Sequence, residues 1–142
     1  MTELSDIVET FELLEDWDQR YQYLVELGEQ LPPFPDALRI EANHVKPCMS
    51  TVYVSVSPDP DNPGRIRYLG DCDTAIIKGV LALLMDLCSG RCVAEIEAID
   101  MDEVFESLQL DEHLSPNRHV GVYAIVDLMK AQARALRSPA PA

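Results

Sequence analysis

The sequence predicts an α+β fold, in which a short block of strands lies between two helical blocks. Val52, Val54 and Val56 alternate with residues of the opposite face, which is the pattern of a half-buried strand. Apolar residues recur at helical spacing both before and after this strand. A chain of 142 residues, 47% of them hydrophobic, can bury one core without metal or disulfide cross-links.

Two amphipathic helices are predicted in the first block. The first has Ser5 as its N-cap, and the second starts from about Asp16 and ends near Gly28, because glycine commonly terminates a helix. The prolines of residues 31–36 then exclude regular helix. A rigid connector with one turn around residues 37–40 is expected to lead into the strands.

The strand block is predicted to be antiparallel. Residues 52–56 and 66–68 alternate in burial, and the proline-rich segment 58–64 between them is typical of a long hairpin loop. Residues 43–46 are numerous enough for a third, flanking strand. Residues 47–49 would then form a tight connection between two antiparallel strands.

The second helical block is predicted to begin with Asp73 as the N-cap of an apolar core helix that runs toward Gly90. Two shorter helical pieces are expected at residues 93–99 and 101–108. Asp100 is the predicted N-cap of the second of these pieces.

The last predicted helix opens with Ser115 as N-cap, followed by proline at the first helical position, and runs to about Leu136. Residues 138–142 contain only proline and alanine after their serine, so a disordered tail is expected there. Residues 1–137 are predicted to form a single domain. The inward stripe of the last helix is predicted to consist of Gly121, Ala124, Ile125, Leu128 and Ala131.

Charge and composition argue against several functions. The chain carries 11 Lys and Arg residues against 25 Asp and Glu residues, a net charge of −14, which repels nucleic acid and anionic membranes. Its acidic N-terminus does not resemble a secretory signal, and its longest apolar run is too short to span a bilayer. We therefore expect a cytoplasmic protein with no nucleic-acid or membrane partner.

The four cysteines are expected to be free thiols in a reducing cytosol. Cys88 and Cys92 have i, i+4 spacing but no accompanying ligand pair, which favours structural thiols over a zinc site. Cys72 precedes a helix start that can lower a thiol pKa, although a small side chain at a turn explains it better. Cys48, near Lys46, is either a reactive thiol on a turn or a residue that fills the sheet edge, and spacing alone leaves both readings open.

The histidines do not form a predicted cluster. His44 lies in the first strand, whereas His113 and His119 flank the start of the last helix. Arg118 and His119 fall in the first turn of that helix, where cations oppose the helix dipole. Partner contact and a solvated surface are both consistent with this placement.

Four blocks of the sequence, spread over roughly Phe11 to Ala135, resemble the SufE family. This family comprises sulfur acceptors that partner SufS-type cysteine desulfurases in iron–sulfur cluster biogenesis. The blocks are Trp17-Asp-Gln-Arg-Tyr21 followed by Leu27-Gly28 and Leu31-Pro32, Val45 to Tyr53 around Cys48, Gly70-Asp-Cys-Asp73 through Ile76 to Gly79, and Leu114-Ser-Pro-Asn-Arg118 with Gly121.

The resemblance implies a SufE/IscU-like α+β fold, a three-stranded antiparallel sheet with helices packed against it. It implies that Cys48 accepts sulfur as a persulfide, with Ser50 as a matching neighbour. Asp73 and Arg118 match positions near the active loop or the partner contact of relatives. The implied partners are a SufS-type desulfurase and a downstream iron–sulfur scaffold. The pyridoxal phosphate belongs to the desulfurase, so no cofactor is expected in this chain.

The sequence departs from the family pattern at four positions. Pro47 replaces the usual glycine, Tyr53 a tryptophan, Cys72 a common serine and Val120 a common asparagine. Proline cannot adopt positive φ or donate an N–H group, so a stiffer active loop is expected.

Two other functions remain open at this point. The first is an IscU-like scaffold that holds an iron–sulfur cluster or zinc, which needs three or four convergent ligands. Only Cys48 and Cys72 are plausible members of such a set, with His113 or His119 as distant additions. The second is an acidic adaptor without thiol chemistry.

Overall fold

The α+β class is confirmed by the computed structural model, which describes residues 2–46 and 50–137. Within these residues the chain forms a helical block, a β-hairpin and a second helical block. The 3₁₀ turns Asp36–Leu38 and Glu41–Asn43 connect the first block to the hairpin. The elements are α1 (Leu4–Leu13), α2 (Trp17–Glu29), β1 (Val52–Pro58), β2 (Ile66–Cys72), α3 (Ala75–Cys88), α4 (Val93–Glu97), α5 (Met101–Ser107), α6 (Leu110–His113) and α7 (Pro116–Arg137).

The hairpin is antiparallel, and its register runs from the Val52–Cys72 pair to the Pro58–Ile66 pair. Its inner face is apolar, since Val52 and Val54 are fully buried. This alternation confirms the strand pattern read from the sequence. The register also brings the start of β1 beside the end of β2, where Val52 pairs with Cys72.

The predicted third strand is reduced to a single bridge. His44 pairs with Tyr53, and the Val45 N–H group donates to the Val52 carbonyl oxygen at 2.9 Å. The preceding residues 41–43 form a 3₁₀ turn, which leaves too few extended residues before position 47 for a longer ladder. The opposite edge of the hairpin is likewise closed by a bridge, from Ile66 to Arg91.

Helix α3 is the centre of the core, and it is packed between α2, β2 and α7. Most of its residues are buried, and Leu81 is fully so. Its closest approach to α2 is at two glycines: a Cβ atom on Gly79 would lie 2.1 Å from the Leu24 carbonyl oxygen, and one on Gly28 would lie 3.0 Å from the Gly79 nitrogen. We call Leu24, Gly28 and Gly79 the α2–α3 seam.

The seam also corrects the prediction for Gly28. This residue lies inside the last turn of α2, and Gln30 is the C-cap. Gly28 is required there because a larger side chain would meet the backbone of α3. Its role is close packing between helices rather than helix termination.

One predicted N-cap, Asp100, is confirmed, and Asp16, near which the second helix was predicted to start, is an N-cap as well. The Asp16 carboxylate accepts a hydrogen bond from the Gln19 N–H group at 2.9 Å, and α2 begins at the next residue. The Asp100 carboxylate accepts hydrogen bonds from the N–H groups of Asp102 and Glu103 and starts α5. Both aspartates satisfy backbone donors that the first helical turn leaves unpaired.

Two other predicted N-caps are wrong. Helix α1 begins before Ser5, with Glu3 at the N-cap position. Helix α3 has Thr74 rather than Asp73 as its N-cap. The Asp73 carboxylate is instead occupied by the backbone of Thr51, so it is not available to the helix.

The buried face of α7 is rotated relative to the predicted stripe. Gly121 and Ile125 are buried as predicted, whereas Ala124 and Leu128 are half-buried and Ala131 is exposed. On the side of α7 that faces the sheet, the Gln132 side-chain amide donates to the Val54 carbonyl oxygen at 2.8 Å. The other buried residues of α7 are Val122, Val126, Met129 and Ala133.

The short helix α6, which the sequence did not predict, is joined to the start of α2. The rings of Trp17 and His113 stack with centroids 3.8 Å apart and planes 18° apart. The Tyr21 hydroxyl donates to the His113 carbonyl oxygen at 2.6 Å. We call this contact the Trp17–His113 clasp.

The helices in the described part of the chain are too short or too polar to cross a membrane. The disorder expected for residues 138–142 concerns positions outside the described residues.

Candidate functional site

Cys48, the predicted sulfur acceptor, lies outside the described residues together with Pro47 and Met49. The expectation that Pro47 stiffens the loop therefore stays a prediction. The structure does describe both flanks of this segment, which end at Lys46 and start again at Ser50. The candidate site is built from these flanks.

The flank after the segment is fixed to the turn between β2 and α3. The Thr51 N–H group donates to the Asp73 carboxylate at 3.0 Å, and the Asp73 N–H group donates to the Thr51 carbonyl oxygen at 3.2 Å. The neighbouring residues Val52 and Cys72 are paired in the sheet. This two-way exchange continues the hairpin beyond the last pair of strand residues.

A hydroxyl pair extends the contact one residue closer to Cys48. The Ser50 and Thr74 hydroxyl oxygens lie 2.6 Å apart, and the Thr74 hydroxyl is 3.3 Å from the Asp73 carboxylate. We call residues 50–52 and 72–74 the anchor turn. Two of the residues predicted to support the site, Ser50 and Asp73, are thus brought together.

Arg118, the third supporting residue, is placed differently. It lies in the first turn of α7 with an exposed side chain, and its N–H group donates to the Ser115 carbonyl oxygen. No hydrogen bond or ion pair joins Arg118 to Ser50 or Asp73 in the described part of the chain. Its predicted contact with a partner stays a prediction.

The flank before the segment is held by β1 and by an ion pair. Val45 is buried and bonded to Val52, and the Lys46 ammonium group pairs with the Glu41 carboxylate. A shallow cavity of about 250 Å³ opens beside this flank. It is lined by His44, Val45, Lys46, Ala124, Asp127 and Leu128.

The outer face of the sheet next to the anchor turn carries a charge network. The Arg39 guanidinium donates to the Asp71 carboxylate at 2.7 Å, and the Lys78 ammonium lies 3.3 Å from the same group. Partial burial opposes ionisation of Asp71, but these two cations outweigh it and hold the pKa of Asp71 below its usual value. Arg39 also lies over the rings of Phe34 and Tyr53, at 5.2 and 5.6 Å from their centroids.

The three cysteines in the described part of the chain have structural environments. Cys72 is 5% exposed, and its sulfur accepts the Thr74 N–H group at 3.4 Å. Cys88 is 4% exposed, and burial raises the pKa of its thiol to about 12. Cys92 is half-buried at the N-cap of α4, where its side chain and that of Glu95 each accept the other's backbone N–H group.

The histidines stay apart in the fold. His44 stacks on Tyr53 at the edge of β1, with ring centroids 5.0 Å apart, whereas His113 belongs to the Trp17–His113 clasp. His119 packs edge-on against Phe105. Among residues 2–46 and 50–137, no group of three or more His, Cys, Asp or Glu side chains is arranged to hold a metal ion.

The sequence did not single out Thr74. A threonine after aspartate at a helix start is ordinarily read as part of the helix cap. The Thr74 side chain makes no capping hydrogen bond to α3, and its hydroxyl is directed at Ser50 and Asp73 instead. Only the register of β1 against β2 reveals this pairing.

Comparison with known proteins identifies the family of the chain. A SufE family model, described as an Fe-S metabolism associated domain, matches residues 5–133. An uncharacterised SufE-like protein of Rhizobium etli is 35% identical over 136 residues, which cover 94% of this chain and 91% of the relative. The cysteine desulfuration protein SufE of Wigglesworthia glossinidia brevipalpis is 30% identical over 131 residues, covering 92% of this chain and 90% of that protein.

The fold has a solved counterpart. The solution structure of a hypothetical protein from Thermus thermophilus superposes with a TM-score of 0.77 at 24% identity, covering 95% of this chain and 96% of that one. This likeness supports the fold, while the family is established by the match over nearly the whole sequence. The chain belongs to the SufE family, which is associated with iron–sulfur metabolism and cysteine desulfuration.

Proposed function

We propose that this chain is a sulfur acceptor and activator for a SufS-type, pyridoxal phosphate-dependent cysteine desulfurase, and that Cys48 carries the sulfur. The desulfurase would hold the sulfur taken from L-cysteine as a persulfide on its own cysteine. The chain would then pass the sulfur to iron–sulfur cluster assembly in the cytoplasm. In this proposal the chain is an accessory protein, and the carbon–sulfur bond of cysteine is broken by the partner.

The transfer step is a thiol exchange. The Cys48 thiolate attacks the outer sulfur of the desulfurase persulfide, a sulfur–sulfur bond forms to Cys48, and the bond to the desulfurase sulfur breaks. The desulfurase cysteine leaves as a thiolate. The outer sulfur keeps its proton when it is transferred to Cys48. No external oxidant or reductant is needed, because one persulfide is exchanged for another.

The observation that carries the assignment to Cys48 is the state of the other three cysteines. A nucleophilic thiol must be accessible and readily ionised. Cys72 and Cys88 are buried, and the pKa of Cys88 is raised to about 12, which leaves almost no thiolate near neutral pH. Cys92 is half-buried, which limits the access of a partner's persulfide to its sulfur.

Iron–sulfur or zinc scaffolding is the competing function. It needs three or four converging ligands. Cys72 is buried and bonded to the Thr74 backbone, and His113 and His119 are each packed against an aromatic ring elsewhere in the fold. These placements favour sulfur transfer over scaffolding.

The test is to mix the full chain with a SufS-type desulfurase, pyridoxal phosphate and L-cysteine, and to weigh the intact chain under non-reducing conditions. Wild type is expected to gain sulfur, and Cys48→Ser is expected to gain none. Cys92→Ser is the matched control and is expected to behave as wild type. Equal sulfur gain in Cys48→Ser, or none in wild type, would contradict the proposal. A metal that stays bound to wild type through purification, and is lost in Cys72→Ala, would favour the scaffold instead.

A further inference from the structure

Thr74 occupies a helix N-cap position but does not cap the helix. Threonine at this position usually accepts a hydrogen bond from the second or third N–H group of its helix. The Thr74 side chain accepts none, although α3 begins at the next residue. Its hydroxyl is 2.6 Å from that of Ser50 and 3.3 Å from the Asp73 carboxylate.

The direction of these hydrogen bonds follows from the side-chain oxygen of Asp73 at their end, which accepts from the Thr74 hydroxyl. A carboxylate only accepts, so the Thr74 proton is donated to Asp73. The Ser50 proton must then be donated to the Thr74 oxygen. The resulting chain runs from Ser50 through Thr74 to Asp73, which also receives the Thr51 N–H group.

This series of hydrogen bonds fixes the side chain of Ser50 as well as the backbone of Thr51. Ser50 and Thr74 are half-buried, so an unpaired hydroxyl there would lose solvent contact without gaining a partner. Ser50 is two residues after Cys48 in the sequence. The position of Ser50 therefore sets the point from which the polypeptide continues toward Cys48.

We propose that Thr74 is a positioning residue for sulfur transfer. Its hydroxyl holds Ser50 in place, so that the segment carrying Cys48 meets the desulfurase persulfide in a productive geometry. This inference rests on the proposed function. Thr74 touches neither the substrate sulfur nor the partner in this scheme, and it acts through Ser50. Its hydroxyl contributes to alignment, whereas the intrinsic reactivity of the Cys48 thiol does not depend on it.

The experiment compares Thr74→Val, Thr74→Ser and wild type in two reactions of Cys48. The first is the single-turnover rate of sulfur gain from a persulfidated SufS-type desulfurase at saturating concentration. The second is alkylation of Cys48 by iodoacetamide, followed by peptide mapping across a pH series. Valine has the shape of threonine without its hydroxyl, and serine restores the hydroxyl.

Thr74→Val is expected to slow saturated sulfur transfer about fivefold, the effect of one lost hydrogen bond. Thr74→Ser is expected to stay within about twofold of wild type, and alkylation in both variants should keep the wild-type rate and pH midpoint. Unchanged transfer in Thr74→Val would overturn the inference. So would a parallel loss of transfer and alkylation, or a failure of Thr74→Ser to restore transfer.

Two further variants keep the result interpretable. Thr10→Val removes a hydroxyl that is bonded only within α1, and it should transfer sulfur as wild type does. Ser50→Ala breaks the same hydrogen bond from the other side, without altering the start of α3. The Ser50→Ala and Thr74→Val effects should not add in the double variant, and additive effects would overturn the inference. Failure of wild type itself to gain sulfur would instead refute the proposed function.

Discussion

The α2–α3 seam and the anchor turn lie close together along helix α3, yet different forces hold them. In the seam, the backbones of two helices touch through glycines, and Leu24 is fully buried. In the anchor turn, Thr51 and Asp73 are exposed and are joined by hydrogen bonds. The seam has no room for one more carbon atom, whereas the anchor turn is joined by individual hydrogen bonds near solvent. We therefore expect seam variants to change stability and anchor variants to change chemistry.

The largest effect on stability is expected for Gly79→Ala. Its Cβ atom would lie 2.1 Å from the Leu24 carbonyl oxygen, so the helices must move apart. Overpacking of this kind should lower the free energy of unfolding by about 3 kcal/mol, measured by urea denaturation. Gly28→Ala is the matched control, with a nearest contact of 3.0 Å and a smaller expected loss. Equal stability of Gly79→Ala and wild type would show that the seam is looser than described.

The Trp17–His113 clasp should behave as the seam does. Trp17→Ala removes the stacking on His113 and an edge contact to Phe11, whose ring centroid lies 6.1 Å away. Because Trp17 is only half-buried, the expected loss is about 2 kcal/mol, below the value for a fully buried tryptophan. Alkylation of Cys48 should be unaffected at temperatures where the variant is folded. A slower alkylation of Cys48 with an unchanged free energy of unfolding would show that the clasp affects the reactivity of Cys48.

Asp73→Ala tests the anchor turn, where sulfur transfer is expected to change more than stability. It removes the acceptor of the Thr51 N–H group and of the Thr74 hydroxyl. Since these groups are near solvent, the free energy of unfolding should fall by only about 1 kcal/mol. Sulfur transfer should slow at least as much as in Thr74→Val. The matched control is Asp36→Ala, which removes an exposed carboxylate whose partner Arg39 keeps its bond to Asp71. Sulfur transfer at the wild-type rate in Asp73→Ala would show that the anchor turn does not contribute to the transfer.

The last effect is absent near neutral pH and concerns the stability of the core at alkaline pH. Burial raises the pKa of Cys88 from 9.0 to about 12, so the folded state resists its ionisation. The stabilising contribution is complete below about pH 9 and is lost as the pH rises toward 12. Burial raises the pKa of Tyr68 as well, which acts in the same direction. In Cys88→Ala, the free energy of unfolding should fall less steeply over this range. An unchanged slope would contradict the burial described for Cys88.

Much of the fold could be predicted from the sequence because local patterns determine it. The alternation of β1, the start of α2 near Asp16 and the Asp100 cap depend on neighbours within four residues, and the structure has them as predicted. The family resemblance identified Ser50 and Asp73, which lie far apart in the chain and are linked in the structure through the Thr74 hydroxyl. Local spacing alone could not pair them.

Two of the errors, those at Asp73 and Gly28, share a physical cause, which is competition from distant partners. Asp73 is a good helix cap by residue type, but its carboxylate accepts a hydrogen bond from the Thr51 N–H group instead. Gly28 resembles a helix stop, but α3 packs against it. In each case a contact between distant segments overrides the local preference.

The most direct test of the central claim is sulfur transfer to a chain in which Cys48 is the sole cysteine. The variant Cys72→Ala/Cys88→Ala/Cys92→Ala removes the other three thiols of the sequence. Incubated with a SufS-type desulfurase, pyridoxal phosphate and L-cysteine, it should gain sulfur at the wild-type rate per folded molecule, and peptide mapping should place that sulfur on Cys48. A folded variant that gains no sulfur, while wild type does, would contradict the account.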